Sequence, residues 1–346
     1  MKQREITEVI KLLNSEGNID TAGYAKKLNW EYNREAITAN KARLKEWDYY
    51  YIGNDSCALC LTMADMGYVG ALSATIMDFT VPMQITKSAV CLFPMGKINM
   101  PLTSVVGDCS WKVGKVEMTF TNDGKTRRLF GQYPKFGNEK ETLSFDVTLT
   151  DIPEESMVIA TPFKKQGHFY YNQKINCMTA DGWFKLGDKD YSLSKDEGTM
   201  GTLDWGRGVW TYDNTWYWGS LQTRLPDGKT FGFNIGYGFG DNEDATENML
   251  FYDGKSHKLD EVTFNIPQKD GVDDYMSDWT FTSNDGKFEM DFHPLIDRYA
   301  PFDLKVFAMI PHQVFGYFTG KATLEDGTVI TLDRTLGFAE KVHNKW

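Results

Sequence analysis

"LQTRLPDGKTFGFNIGYGF" (Leu221–Phe239) decides how the rest of the chain is read. Two alternating runs flank a Pro-Asp-Gly turn. Gly tolerates positive φ and Asp bonds its own backbone, so this dipeptide between apolar runs signals a hairpin. In the second run Phe231, Phe233, Ile235, Tyr237 and Phe239 form one apolar face, while Gly232, Asn234, Gly236 and Gly238 form the other. Period two is the mark of a strand. Glycine on one face marks either a bend or the close approach of another group. The bare face therefore reads as a curving barrel strand, or as room left for a ligand.

The same grammar recurs along the chain. Asp-Gly occurs seven times, and "MTFTNDGKTRRLF", "WTFTSNDGKFEMDF" and "ATLEDGTVITL" repeat the run-turn-run pattern. "ETLSFDVTLT" alternates Leu143, Phe145, Val147 and Leu149 with polar residues. Sequential hairpins without long helices between them predict antiparallel meanders, closed into barrels or stacked as sandwiches. Residues 1–45 differ. Ile6, Val9, Ile10 and Leu13 have helical spacing, which predicts a partly helical N-terminal arm. The polar, turn-rich segment 187–200 predicts a boundary. The expected organisation is an arm over 1–45, a first β module over 46–195 and a second over 196–346.

The 346 residues carry a net charge of −11, with 41 % hydrophobic and 14 % aromatic content. An acidic surface repels polyanions, so no nucleic-acid partner is expected. No apolar run has the length of a signal peptide or a membrane-spanning helix, which predicts a cytoplasmic protein with no membrane span. The five cysteines are odd in number and scattered, which suits a reducing compartment. In "CALC" an extended backbone points Cys57 and Cys60 to opposite faces. No His or Cys spacing suggests a metal, and no phosphate loop, dinucleotide fingerprint or nucleophile elbow is present. No cofactor is expected.

"GTMGTLDWGRGVWTYDNTWYWGS" (Gly198–Ser220) holds four of the ten tryptophans around Asp204 and Arg207. If the strand runs through, Leu203, Trp205 and Arg207 face one way, and Asp204, Gly206 and Gly208 the other. An acid screened from water holds its proton to higher pH and can donate it. Equally, Asp204 could pair with Arg207 or cap a turn. Glu247 and Asn248 precede the strand-like "MLFY" and could position a hydroxyl or close a loop. His312 sits among apolar residues, as a core group or as a base.

Five ordered stretches resemble a bacterial family, domain of unknown function 2804. They are "EWDYYYI" from Glu46, "GTLDWGRGVW" from Gly201, "TENMLFYDGKSHKLDEVTF" from Thr246, "HQVFGYFTG" from His312 and the closing "LGFAEKVHNKW". The likeness spans nearly the whole chain. It implies distant kinship with AttH and carotenoid hydratase proteins: an all-β fold of two tandem lipocalin-like barrels enclosing apolar cavities. In the hydratases an Asp in a Trp-rich segment near the domain junction is thought to protonate an isoprenoid double bond, and Asp204 matches it. The second acid that usually follows is replaced here by Trp205-Gly206-Arg207.

The expectation is a pocket for an elongated apolar molecule, isoprenoid or lipid-like. Trp205, Arg207, Trp210, Trp216, Trp218, Phe233, Tyr237 and Asn248 would line or bind. Asp204 would act as general acid, with His312 or Glu247 as partner. A non-catalytic carrier, and a purely structural junction of tryptophans, stay open.

Overall fold

The computed structural model describes residues 3–303 and 308–346. Strand makes up 59 % of it and helix 3 %, which settles the all-β class. The first sheet runs, in neighbour order, Met83–Leu92, Val69–Asp78, Cys57–Asp65, Leu44–Gly53, Met200–Val209, Phe169–Leu186, Thr142–Thr150, Arg127–Pro134, Val116–Asn122 and Cys109–Val113, all antiparallel. It curls into a nearly closed barrel. The second sheet, a half-barrel, runs Lys255–Lys258, Met249–Tyr252, Thr230–Tyr237, Asp213–Arg224, Val329–Lys345, Ala308–Thr323, Phe288–Tyr299, Trp279–Ser283 and Val262–Asn265. The chain passes from one sheet to the other across residues 210–212. The turn-rich 187–200 segment instead joins two strands of the first sheet.

The helical arm expected from Ile6, Val9, Ile10 and Leu13 is not formed. Its backbone is extended: the Ile6, Ile10 and Leu12 amides donate to the carbonyls of Tyr24, Asn29 and Glu31. Only two single 3-10 turns, Arg34–Ala36 and Lys41–Arg43, are helical. Tertiary packing overrides the local pattern. Leu12, Leu13, Trp30 and Tyr32 are buried in the core of the first barrel, whereas Val9, on the supposed apolar stripe, is exposed. Gly23–Ala25 pairs with Met157–Pro162, so the arm joins the first sheet.

Three apolar clusters follow from strand parity. One fills the first barrel, one fills the concave side of the half-barrel, and the third lies where the outer face of the first sheet packs on the second. Cys57 and Cys60 obey the same rule, Cys57 joining the barrel interior and Cys60 the junction.

Candidate functional site

Two strands of the first sheet bring charge to the junction. Phe169–Leu186 and Met200–Val209 are antiparallel neighbours, with Lys174 directly opposite Asp204. Opposed residues share a face, and the pair closes to 2.9 Å. Asn172 on the same face donates to Asp204 Oδ1 at 2.6 Å. Asp204 is thus the anion of a buried ion pair with Lys174, and Arg207 is not its partner. The parity expected from the sequence holds: Trp205 and Arg207 point into the first barrel. There Trp205 packs edge-on against Tyr32 and Tyr171, and Arg207 reaches Asp48 at 3.1 Å.

The second sheet supplies the opposite wall. Trp218 lies under Lys174, with Nζ 4.0 Å from the ring centroid. Its indole N–H donates to Asn234 Oδ1 at 2.7 Å, and the Asn234 amide donates to Glu247 Oε2 at 3.3 Å. Gly236 makes this seat possible. A Cβ there would stand 2.7 Å from Glu247 Oε1. The bare face of Thr230–Tyr237 therefore receives the Glu247 carboxyl. On the neighbouring strand, Glu340 accepts from Trp216 Nε1 at 3.0 Å and from Gln313 Nε2 at 2.9 Å.

Lys174 thus pairs with Asp204 and lends its field to two further buried carboxyls, Glu247 and Glu340. Burial pushes Glu340 up to about 7; the Trp216 hydrogen bond and the fields of Lys174 and Arg298 oppose this without cancelling it, and Asp204 adds to it. Burial likewise raises Glu247, with Asp204 adding to it and Lys174 opposing. Tyr170, two residues from Asn172 on the same face, is held well above an ordinary phenol by burial and then by Glu247, Asp204 and Glu340. It stays a neutral hydroxyl donor.

The space between these groups is not sealed. Asp204, Glu247, Glu340 and Tyr170 keep 6–8 % of their surface accessible, while Asn172 and Asn234 beside them keep none. Among the described residues, Asp204 Oδ2, Glu247 Oε1 and the Tyr170 hydroxyl have no hydrogen-bond partner, and none of the three is closed off from solvent. Aromatic rings pack beside these groups: Trp47 stacks on Tyr170 at 6.2 Å, and Trp210 and Phe239 stand edge-on at 4.8 Å. Gly206 admits the Trp47 ring, since a Cβ there would stand 1.9 Å from it.

Of the residues expected from sequence, Asp204, Glu247, Trp210, Trp216 and Trp218 meet at this junction. Asn248 lies beside it as a loop clamp, accepting from the Gly236 amide and donating to the Asp260 carbonyl. Phe233 and Tyr237 do not face it; they pack in the half-barrel. His312 is also elsewhere, stacked between Tyr275 at 3.8 Å and Tyr299 at 4.4 Å and bonded to Asp297 at 2.7 Å. Parity explains this, because the next residue, Gln313, is the one that reaches Glu340. Lys174, Glu340 and Tyr170 were not singled out from the sequence. No group of His, Cys, Asp and Glu suited to a metal occurs among the described residues, and no helix there is long and apolar enough to cross a membrane.

The family model for domain of unknown function 2804 matches residues 3–346. No curated protein sequence matches the chain. Among solved structures, the chain is similar to a protein assigned as AttH from Nitrosomonas europaea, at 12 % identity and TM-score 0.52, covering 90 % of this chain and 96 % of that one. It is also similar to CghA in complex with Sch210972, at 12 % identity and TM-score 0.51, covering 87 % and 88 %. At this identity the likeness is one of fold.

Proposed function

The chain belongs to the domain of unknown function 2804 family, and from the junction we propose that it admits a largely apolar, lipid-like or isoprenoid molecule between its two sheets and moves a proton on it without a cofactor. The observation that supports this reading is the cluster at the junction, where three buried carboxyls and a neutral phenol keep a little accessible surface in the field of Lys174, beside packed aromatic rings. Glu340 is the proton donor, because a carboxyl that titrates at about 7 is half protonated at neutral pH. Trp216 and Gln313 each occupy one lone pair of its two oxygens, and the proton sits on a lone pair that remains. Asp204 has a different part from the one its sequence suggested. Its Oδ1 is taken up by Lys174 and Asn172, so it fixes the field in which Glu340 and Glu247 hold their protons.

An acid this weak does not protonate an isolated alkene. It suits a double bond conjugated to oxygen, and the free Tyr170 hydroxyl is a donor for that oxygen. Protonation at carbon leaves a cation, which cation–π contact with Trp47 or Trp216 favours by about 0.5–2 kcal/mol per ring. Loss of a proton from the adjacent carbon to the Glu340 carboxylate completes an isomerisation. Attack by water, with its surplus proton returned to Glu340, completes a hydration.

The test is mass spectrometry of an organic extract of the protein purified from its own source, with Nile red, a neutral apolar dye, as a competing probe in solution. The expected result is one retained apolar compound that displaces Nile red. Incubated with that compound, Glu340→Gln binds it and leaves it unchanged, while wild type converts it. An extract free of such a compound, together with no Nile red binding, would remove the basis for the reading.

A further inference from the structure

The interior of the first barrel carries a second site, unconnected with the junction. A cavity of about 260 Å³ opens beside Lys26 and Lys27 and reaches down to Arg127, Gln173, Ser104 and Ser156. All four floor residues are buried, Arg127 to 3 % exposure. The floor is built rather than accidental. Gln173 donates to Ser156 Oγ at 2.8 Å and accepts from the Ser104 hydroxyl. Arg127 donates to the Ser104 carbonyl at 2.5 Å and to the Tyr50 hydroxyl at 3.3 Å.

The guanidinium is left wanting. Its Nε–H is buried and has no partner. No carboxylate among the described residues is within ion-pair distance of it, and the acid whose titration it influences, Asp48, is engaged by Arg207 at 3.1 Å. A buried cation without a counter-ion is unfavourable in an apolar interior. Arginine presents donors in a planar fork that matches a carboxylate. Ile152 and Ile175 line the same cavity with apolar surface. Two lysines flank the mouth, each facing a carboxylate that offsets most of its attraction for an approaching anion: Lys26 lies 3.8 Å from Glu155 and Lys27 lies 3.7 Å from Glu154, so the pull on an anion comes from Arg127.

We propose that the first barrel binds a small monocarboxylate with a short apolar tail, its carboxylate on Arg127 and its tail along Ile152 and Ile175. The volume lies just under the range of about 300–1,000 Å³ typical of drug-sized ligands, so the molecule is small. This site and the proposed proton transfer are separate, since Arg127 and Asp204 lie on opposite faces of the first sheet.

The experiment is isothermal titration calorimetry of the full chain with octanoate, and with 1-octanol as the uncharged counterpart. Octanoate is expected to bind wild type at least about tenfold more tightly than octanol, and Arg127→Met to weaken octanoate by at least about tenfold. Ile152→Trp fills the cavity from a loop and keeps the charge. It is expected to weaken octanoate similarly, and it decides the matter if Arg127→Met does not fold. Absence of octanoate binding to wild type, equal binding of octanol, or affinity unchanged in Ile152→Trp would each overturn the assignment.

Discussion

Replacing Glu340 by Gln tests the electrostatics of the junction without reference to any ligand. The unfolded chain gives up this carboxyl proton near the ordinary 4.5, the folded chain only near about 7. Between these values the unfolded state binds fewer protons, so stability falls as pH rises, and the full cost is present above about 7. A displacement of this size corresponds to about 3 kcal/mol, of which about 2–3 falls between about pH 5 and about pH 8. An amide does not titrate, so the variant lacks this slope. It carries a separate, pH-independent cost. Trp216 and Gln313 both donate to Glu340, and the new NH2 faces one of those donors, at about 1–3 kcal/mol. Glu340→Gln is therefore the less stable protein near pH 5, and the gap closes or reverses by pH 8. Urea unfolding of both proteins at the two pH values measures it, and the titrating groups that Glu340 does not influence cancel in the difference. A gap that stays constant between the two would refute the raised carboxyl and, with it, the choice of proton donor.

Lys174→Met leaves Asp204 as an uncompensated buried anion and is expected to lose about 3–5 kcal/mol in urea unfolding. Adding Asp204→Asn should recover part of that loss, and a double variant no better than the single one would contradict the pairing. Gly236→Ala brings a Cβ to 2.7 Å from both Glu247 Oε1 and the Tyr217 carbonyl. The expected cost is about 1–3 kcal/mol by thermal or chemical unfolding, and a neutral effect would mean that Glu247 does not sit where it is drawn. Four of the five cysteines are buried and Cys91 alone is half-buried; burial raises the thiols of Cys57, Cys60, Cys109 and Cys177. Ellman's reagent should therefore titrate one thiol per native chain, and none in Cys91→Ser.

The strands were legible wherever one face meets water. Thr142–Thr150 alternates buried and half-buried along its whole length, and Phe288–Phe292 alternates buried and exposed, as their sequences imply. The arm was misread because its apolar spacing fits a helix, while its burial is set by the open end of a barrel that only the complete fold creates. Asp204 stood out because a charge among tryptophans is conspicuous. Lys174 did not, because Phe169–Ala180 is buried on both faces and offers no alternation to read against. Glu340 was hidden for the same reason, within a buried run from Leu336 to Glu340.

Strand parity also resolves why Asp204 and Arg207 share the most aromatic stretch of the chain. Asp204 and Arg207 are three residues apart on an extended strand, so they serve opposite faces. Arg207 faces the barrel interior, held by Asp48 and by the Trp47, Gly206 and Pro101 carbonyls, with Trp205 against its guanidinium at 4.2 Å. Asp204 is the anion of the junction. Gln173 and Lys174 divide in the same way on the neighbouring strand, one to each compartment. A slip of one residue between these strands would drive Arg207 into the aromatic junction and Asp204 into the barrel, leaving two unpaired charges in place of two paired ones. The apolar residues of a strand buried on both faces cannot specify register by themselves, because either register buries them. The charges can, and this gives the costly buried ions a structural role alongside any chemistry they perform.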